Sequence, residues 1–234
     1  MVNGNIAIVG ESLSSECLDA LHGIGYETVI LPRDCRLGAG VSTHTDLMVF
    51  PLGDILFTYG GTAGNILRSK GFRVTEICEI PESEYPYHVY LNALLVGRYI
   101  FARKKYLAED VLDEALRRGY TVVDVRQGYA RCGACPISDG AIITSDPSIS
   151  RAAESVGIDV LSVSVGGVDL KGYPYGFIGG ACGVDGDRVF FAGDIYTHPD
   201  GERIVTFCRK HGKEVISLSG GVLNDVGSIF FAKV

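Results

Sequence analysis

The sequence predicts an α/β fold: a five-bladed, pseudo-symmetric α/β propeller built from ββαβ repeats and closed by the N- and C-termini. Two series of glycines, each with its own local pattern, recur about every 44 residues along the chain. In addition, the first repeat lacks its first strand, while an apolar segment follows the last helix. Fixed-period repetition indicates an array of similar units, and the complementary ends indicate that the array closes into a ring.

The first series of glycines lies between two apolar segments and predicts a β-hairpin in each repeat. Residues 42–57 show the pattern, with one apolar segment before Gly53 and a second at Ile55-Leu56-Phe57. Glycine suits the turn because it accepts a positive φ without steric cost. The equivalent glycines are Gly53, Gly97, Gly140, Gly186 and Gly227.

The second series follows short amphipathic segments and predicts a helix and then a third strand in each repeat. Glycine is expected just after a helix, where a left-handed residue closes the last turn. The predicted helices cover residues 14–22, 62–70, 108–118, 148–156 and 200–211. The glycines that follow them are Gly25, Gly71, Gly119, Gly157 and Gly212.

The two ends of the chain predict how the ring closes. The first repeat starts at its second strand, over residues 6–9, and has no strand before it. Residues 222–234 have the pattern of an extra apolar hairpin, so this segment can supply the missing strand. No low-complexity or linker-like stretch interrupts the chain, and we therefore expect one domain over residues 1–234.

Composition narrows the class of protein. The 234 residues include 21 Lys and Arg against 28 Asp and Glu, a formal charge of −7, which argues against a nucleic-acid partner. The N-terminal segment lacks the basic start of a secretory signal, and the apolar runs are shorter than the ~20 residues of a membrane span. We expect a cytoplasmic protein without a membrane partner, whose seven cysteines are mostly reduced. The glycine-rich patches lack dinucleotide-binding spacing, and no cofactor is predicted.

Superposing the repeats places one polar or reactive side chain of each at a common position, directly before an apolar strand. These side chains are Asp46, Asn92, Cys135, Cys182 and Asn224, with His44 and Cys132 beside them. In a closed ring the five positions meet around the axis, which predicts an axial pocket with convergent polar groups. Two Tyr-Pro-Tyr segments, at 85–87 and 173–175, are expected at its rim.

Five ββαβ units closed by the termini resemble the pentein fold, whose members include arginine deiminase, dimethylarginine hydrolase, the amidinotransferases and translation initiation factor six. The chain also resembles a bacterial family of unknown function, DUF6873. Arg33-Asp34 after a strand and His44-Thr45-Asp46 are similar to motifs of the guanidino-modifying members. The C-terminal glycine-rich strand has Asn224 where those enzymes carry their nucleophilic cysteine. The resemblance implies an axial site for a guanidine or amidine, with Asp34 holding the cationic group.

The first functional hypothesis is a cysteine-dependent hydrolase or transferase acting on a guanidine- or amidine-type small molecule. Cys182 or Cys135 is the candidate nucleophile, and His44 is the candidate for proton transfer. Carboxylates are expected to hold a cationic group, and an arginine to hold the carboxylate of an amino-acid-like substrate. The candidate substrate-binding residues are Asp34, Asp46, Asn92, Asn224 and Arg131.

Other interpretations stay open at this stage. Cys135 and Cys182 could be small buried hydrophobic residues, and His44 with Asp46 could be only a hydrogen-bonded pair. The Cys132-x-x-Cys135 spacing could form a zinc site with Cys182 and His44, but one such pair is a weak signal and no metal is predicted. The second functional hypothesis is a non-catalytic module, either a partner-binding protein similar to initiation factor six or a ligand sensor. The sequence leaves the ligand's identity and the oligomeric state open.

Overall fold

Within residues 5–233, which the computed structural model describes, the strands form five three-stranded sheets and one two-stranded sheet. The first sheet contains β1 (Asn5–Gly10), β2 (Glu27–Leu31) and the last strand, β17 (Phe230–Lys233). The second contains β3 (Val49–Leu52), β4 (Ile55–Thr58) and β5 (Arg73–Glu76), and the third contains β6 (Leu94–Val96), β7 (Tyr99–Ala102) and β8 (Thr121–Asp124). The fourth contains β9 (Ala134–Ser138), β10 (Ala141–Thr144) and β11 (Asp159–Ser162), and the fifth contains β13 (Cys182–Asp185), β14 (Arg188–Phe191) and β15 (Glu214–Ser217). The two-stranded sheet pairs β12 (Val168–Asp169) with β16 (Leu223–Asn224).

Each three-stranded sheet has the same connectivity. Its first strand pairs antiparallel with the second across a short turn, and the second pairs parallel with the third. In the sheet that joins the chain ends, β17 takes the place of the first strand and pairs antiparallel with β1. A parallel pair requires a crossover, which a helix provides here, so the repeat is ββαβ.

The helices that make these crossovers lie where the sequence predicts them. They are α1 (Ser15–Gly23), α3 (Gly61–Ser69), α4 (Glu109–Arg117), α6 (Pro147–Ser155) and α7 (Gly201–Lys210). Caps define their ends: the Asp146 side chain accepts hydrogen bonds from the backbone N–H groups of Ser148 and Ile149, which have no partner inside helix α6. After α4, Gly119 has a φ of +78°, the left-handed conformation expected of the residue that ends a helix.

The second strand of each sheet lies in the interior. All four residues of β4 and of β10 are buried, because helices cover one face and a neighbouring sheet covers the other. The first strands, β3, β6, β9, β13 and β17, are called the inner strands below. Four members of this set contact each other in sequence, β6 with β9, β9 with β13, and β13 with β17.

Two features differ from the sequence prediction. The hairpin predicted over residues 222–234 is not formed in the part of this segment that the structure describes, residues 222–233: β16 pairs in parallel with β12, and β17 completes the sheet with β1. Two four-residue helices, α2 (Thr45–Met48) and α5 (Ala130–Gly133), stand directly before inner strands. A single helical turn is too short to show helical periodicity, so the sequence pattern did not predict them. In the described part of the chain, no helix is long and apolar enough to cross a membrane.

Candidate functional site

Four polar side chains converge just before four of the inner strands. Asp46 lies on α2, Cys132 on α5, and Asn92 and Ser228 in the loops before β6 and β17. Asp46 Oδ2 accepts hydrogen bonds from Cys132 Sγ at 3.0 Å and Ser228 Oγ at 2.5 Å. Asn92 Nδ2 lies 3.3 Å from Cys132 Sγ and 3.2 Å from the Asp46 carbonyl oxygen, to which it donates. The thiol and the carboxylate are therefore held together by groups from separate sheets.

His44 and Asp225 lie beside this cluster. Asp225 is fixed by backbone N–H groups, since Phe177 N donates to Oδ2 at 2.9 Å and Gly227 N to Oδ1 at 3.1 Å. His44 Nδ1 lies 3.8 Å from Asp225 Oδ1. Gly227, with a φ of +74°, has no space for a side chain, because a Cβ there would lie 2.2 Å from the Cα of His44. The close approach of the Gly227 backbone to His44 therefore fixes the position of the His44 imidazole.

The site holds two buried carboxyl groups without a Lys or Arg partner. Within residues 5–233, no Lys or Arg nitrogen lies within 4.0 Å of Asp46 or Asp225. Burial raises the pKa of Asp225 to about 6, and it also raises the pKa of Asp46. Asp46 Oδ1 and His44 Nδ1 are buried and have no hydrogen-bond partner among the described residues. A cationic ligand would supply the positive charge that these carboxyl groups lack.

Burial also determines the protonation of the thiol and the imidazole. It raises the pKa of Cys132 well above its ordinary value, and the neighbouring Asp46 carboxylate raises it further. It lowers the pKa of His44, against the opposing effect of Asp46. Without a ligand, the site therefore contains a neutral thiol and a neutral imidazole at pH 7.

A cavity of about 250 Å³ opens above Cys132 and has aromatic walls. It is lined by Val41, His44, Tyr129, Cys132, Leu170, Tyr173, Pro174, Tyr175, Phe177 and Asp225. A wider cavity of about 810 Å³ adjoins it, shares His44 and Asp225 with it, and carries Arg33 and Lys171. The first cavity could hold a small cationic group, and the second could hold an anionic tail.

Several predicted site residues lie in or beside these cavities. His44 lines both cavities, and Asp46 and Asn92 lie directly beneath, bonded to Cys132. Asn224, at the end of β16, lines the wider cavity and is exposed. The predicted tyrosine rim is present at 173–175, whereas Tyr85 packs against Tyr129 with ring centroids 5.5 Å apart.

Cys135, Cys182 and Arg131 are not brought to these cavities. Both cysteines are fully buried in an apolar cluster, and Arg131 Nη1 donates to the Gly179 carbonyl oxygen at 2.9 Å and lies 3.9 Å from Cys182 Sγ. Because α5 is helical, successive side chains diverge by about 100°, so Cys132 enters the pocket while its neighbour Arg131 points away. The predicted zinc alternative with both of these cysteines has no counterpart in the described residues.

The two buried thiols differ in protonation. Burial raises the pKa of Cys135 well above its ordinary value. Burial opposes ionisation of Cys182 as well, but the hydrogen bond from Cys135 and the Arg131 guanidinium outweigh it and lower the pKa of Cys182. A lowered pKa favours reactivity only where a reagent can reach the sulfur, and Cys182 is fully buried.

Asp34 is also separate from the pocket. Its carboxylate forms an ion pair with Arg36, with Oδ2 2.6 Å from Nη2, and it lines a different cavity near Gly61 and Thr62. Burial opposes ionisation, but the Arg36 hydrogen bonds lower the pKa of Asp34 below its ordinary value. The arginine two residues along the chain already neutralises this acid, so the geometry does not favour the role that the resemblance implied.

The sequence prediction missed Asp225 and Ser228 and placed Cys132 only beside the site. The observed ring of positions lies two or three residues before each inner strand: Asp46, Asn92, Cys132, Gly180 and Ser228. Gly180 is part of it for a steric reason, since a Cβ there would lie 1.9 Å from Asp225 Oδ1. In three repeats the predicted position differs from the observed one by a few residues: Cys135 follows Cys132, Cys182 follows Gly180, and Asn224 precedes Ser228.

One group in the site could hold a metal ion. His44, Cys132 and Asp225 each offer a ligand atom, and these atoms all lie within 4.8 Å of one another. Imidazole nitrogen, thiolate and carboxylate oxygen are the donors that zinc binds in proteins. The backbone N–H groups that fix Asp225 would serve as the outer partners that orient a metal ligand.

Solved structures with the same fold include those of guanidino-modifying enzymes. DDAH from Pseudomonas aeruginosa, as a mutant complexed with citrulline, is 12% identical, with a TM-score of 0.58 over 93% of this chain and 92% of that one. SxtG, an amidinotransferase from Microseira wollei in the saxitoxin biosynthetic pathway, is also 12% identical, with a TM-score of 0.57 over 93% and 89%. Agmatine deiminase from C. jejuni is 10% identical, with a TM-score of 0.51 over 92% and 87%. At these identities the similarity establishes the pentein fold and not the reaction.

Sequence comparison gives the family. No curated protein matches the chain. The model of a family of unknown function, DUF6873, matches residues 8–230, which is nearly the whole sequence. The chain therefore belongs to the DUF6873 family, and it has the mixed α/β architecture of the pentein superfamily.

Proposed function

We propose that the five three-stranded sheets form a closed five-bladed propeller, one domain over residues 1–234, with the pocket at one end of its axis. Pairing of β17 with β1 joins the two chain ends, which supports closure. A further cavity of about 190 Å³ is lined by residues from all five inner strands, as expected if these strands surround a common axis. The pentein neighbours match over at least nine-tenths of this chain, which supports a single unit.

We infer that this protein is a thiol-dependent hydrolase or transferase acting on a guanidine- or amidine-bearing small molecule, with Cys132 as the nucleophile in place of Cys135 or Cys182. One observation carries the proposal: two buried carboxyl groups without a Lys or Arg partner lie beside the Cys132 thiol, Asp225 in the wall of the cavity and Asp46 directly beneath it. A planar cation with several N–H donors satisfies such carboxylates.

The first chemical step joins sulfur to the amidine carbon. Cys132 Sγ attacks the central carbon, and the thiol proton passes to Asp46 Oδ2, to which the thiol is already hydrogen-bonded at 3.0 Å. The resulting tetrahedral carbon loses one nitrogen when its C–N bond breaks. His44 relays the proton from the carboxyl group to the leaving amine. The positive charge stays on the amidinium now bound to Cys132.

The second step releases the product. Water attacks the same carbon and the C–S bond breaks. One proton of the water returns to the sulfur, and the second passes through His44 to solvent, so that the positive charge of the amidinium leaves as a proton and the urea is neutral. A guanidine is thereby converted to a urea and an amine, whereas an acceptor amine in place of water gives transfer of the amidino group. A neutral thiol is a poor nucleophile. The bound guanidinium or amidinium ligand favours the thiolate, because a positive charge nearby lowers the pKa of Cys132, which burial raises in the free protein.

The pocket walls suggest what the rest of the ligand looks like. Tyr129, Tyr173 and Phe177 offer aromatic faces to a cation. Arg33 and Lys171 in the adjoining cavity are placed for a carboxylate on the same molecule. We propose a cationic or amino-acid-like small molecule as the ligand. A reducing compartment such as the cytoplasm would keep the free thiol of Cys132 available.

Two alkylating reagents of equal size test the charge preference of the site. Chloroacetamidine is cationic and chloroacetamide is neutral, and the exposed Cys35 in the same molecule is the internal control. We expect the cationic reagent to modify Cys132 at least tenfold faster, relative to the ratio measured at Cys35 by peptide mass spectrometry. Asp46→Asn should abolish the preference. Equal ratios at Cys132 and Cys35 would contradict the proposal.

Turnover is tested with a panel of guanidines, including agmatine, arginine and methylguanidine, by following amine and ureido products. Cys132→Ser should abolish product formation, while Cys182→Ser, the matched change at a buried thiol outside the pocket, should retain it. Selective alkylation without turnover of any guanidine would instead support the second hypothesis, a non-catalytic ligand-binding module of the same fold.

A second candidate function is favoured by the clustered donors of His44, Cys132 and Asp225, which fit a zinc ion with one position open toward the cavity. Equilibrium dialysis against zinc separates the candidates. One tightly held zinc per chain, lost in His44→Ala and retained in Cys182→Ser, supports the metal site. Stoichiometric zinc that persists in His44→Ala, or no zinc at all, would exclude it.

A further inference from the structure

Arg131 is a buried cation that the proposed reaction does not use. Its side chain is 5% exposed, and no Asp or Glu oxygen among residues 5–233 lies within 4.0 Å of its guanidinium. Burying a charge without a counter-charge is costly, and the cost is reduced when the charge has strong hydrogen-bond partners. The hydrogen-bond partners of the Arg131 guanidinium therefore determine how much of this cost remains.

The protein satisfies only part of the guanidinium. Nη1 donates to the carbonyl oxygens of Gly179 at 2.9 Å and Ala134 at 3.3 Å, and Nη2 donates to that of Cys182 at 3.3 Å. A guanidinium has five N–H groups, so Nε–H and one N–H of Nη2 find no acceptor in the described part of the chain. Nε and Nη2 share one edge of the group, and this edge binds a carboxylate through two parallel hydrogen bonds.

A cavity adjoins this arginine. It has a volume of about 190 Å³ and shares no lining residue with the two cavities at His44. Its lining residues are Phe50, Pro51, Ala93, Leu95, Arg131, Pro136, Val184, Ile229, Phe230 and Phe231. Most belong to the inner strands and lie within them, whereas Cys132 and His44 precede those strands. Arg131 is its one charged residue, and the Phe230 ring lies 5.5 Å from the guanidinium carbon.

We propose that this cavity is a second binding site, for a small carboxylate with an apolar or aromatic body, in which Arg131 binds the carboxylate. The proposal combines a cation whose one acidic neighbour is the buried Cys182 thiol and which has no carboxylate partner among the described residues, two available N–H groups, and apolar walls on every inner strand. The volume limits the occupant to about the size of a benzoate ion. It is separate from the proposed function, because neither Cys132 nor His44 contributes to it.

Benzoate and benzamide provide a matched pair of probes, since they have the same shape and differ in charge. Calorimetric titration of the full chain should show saturable binding of benzoate to one site, with benzamide at least tenfold weaker. Arg131→Met should abolish benzoate binding. Since Arg131 also binds three carbonyl oxygens, Val184→Phe is the second variant: it fills the cavity, leaves the arginine in place, and should also abolish binding.

Two controls separate this site from the catalytic pocket. Cys132→Ser should bind benzoate as the wild type does, so the two proposals can fail independently. Lys171→Met, which removes a basic group of the wider cavity, should also leave binding unchanged. The proposal is overturned if benzoate shows no saturable binding, if benzamide binds equally well, if Val184→Phe binds benzoate normally, or if Lys171→Met abolishes binding.

Discussion

Replacing Asp225 with Asn should change the way stability depends on pH. Burial raises the pKa of Asp225 from 3.8 to about 6, so the folded protein retains a proton that the unfolded chain releases near pH 4. As the pH rises from 4 to 6, the unfolded state is increasingly favoured, and the wild type loses stability. A displacement of about two pKa units corresponds to a limit of roughly 3 kcal/mol, of which about 2 kcal/mol falls between pH 4.5 and 7.5.

The Asn side chain has a second effect that is independent of pH. Phe177 N and Gly227 N each donate to one carboxylate oxygen, and Asn keeps only one acceptor oxygen. The lost hydrogen bond costs about 1–3 kcal/mol at every pH and cancels when two pH values are compared. The quantity to measure is therefore the change, between pH 4.5 and 7.5, in the stability of Asp225→Asn relative to the wild type.

Urea unfolding followed by circular dichroism provides the assay, because the chain contains no Trp. Relative to the wild type, Asp225→Asn should gain about 2 kcal/mol in unfolding free energy on going from pH 4.5 to 7.5. Asp113→Asn, at an exposed position on α4, is the matched control and should follow the wild type at both pH values. If the two variants behave alike, or if Asp225→Asn loses relative stability as the pH rises, the electrostatic reasoning about the pocket is wrong.

Three further predictions concern ligand affinity and the backbone. Below about pH 6, protonation of Asp225 should weaken binding of a guanidinium ligand, up to about tenfold per pH unit by titration calorimetry, and an affinity that is flat from pH 5 to 8 would contradict its role. Gly227→Ala should cost about 2–4 kcal/mol in urea unfolding, since it combines a φ of +74° with a Cβ 2.2 Å from the Cα of His44; a loss below about 1 kcal/mol would show that the loop can relax. Asp146→Ala should cost about 1–2 kcal/mol by removing the cap of α6, and Ser150→Ala, inside the same helix, should cost less; equal losses would refute the capping argument.

The sequence determined the repeat and its elements because those signals are local. A glycine in a hairpin turn or after a helix is selected by the φ value at that residue, and the amphipathic segments before Gly25 and Gly119 carry their own helical pattern. Pairing of the chain ends was also predictable, because a missing strand at one end and an apolar segment at the other are both visible in the sequence.

Only the tertiary structure decided which side chains meet. The sequence indicated that polar residues before the inner strands would converge, but it placed Cys135 at the site and Cys132, three residues earlier, only beside it. One turn of helix, α5, turns Cys132 toward Asp46 and leaves Cys135 within an apolar cluster. Such a turn is too short to have a sequence period. Its contacts come from other repeats: the Asn92 side chain accepts from Arg131 N and Cys132 N, and Gly180 N donates to the Cys132 carbonyl oxygen. The role of Asp225 could not be predicted either, since Phe177 N, which donates to it, and Gly180, which leaves space for it, come from distant positions in the chain.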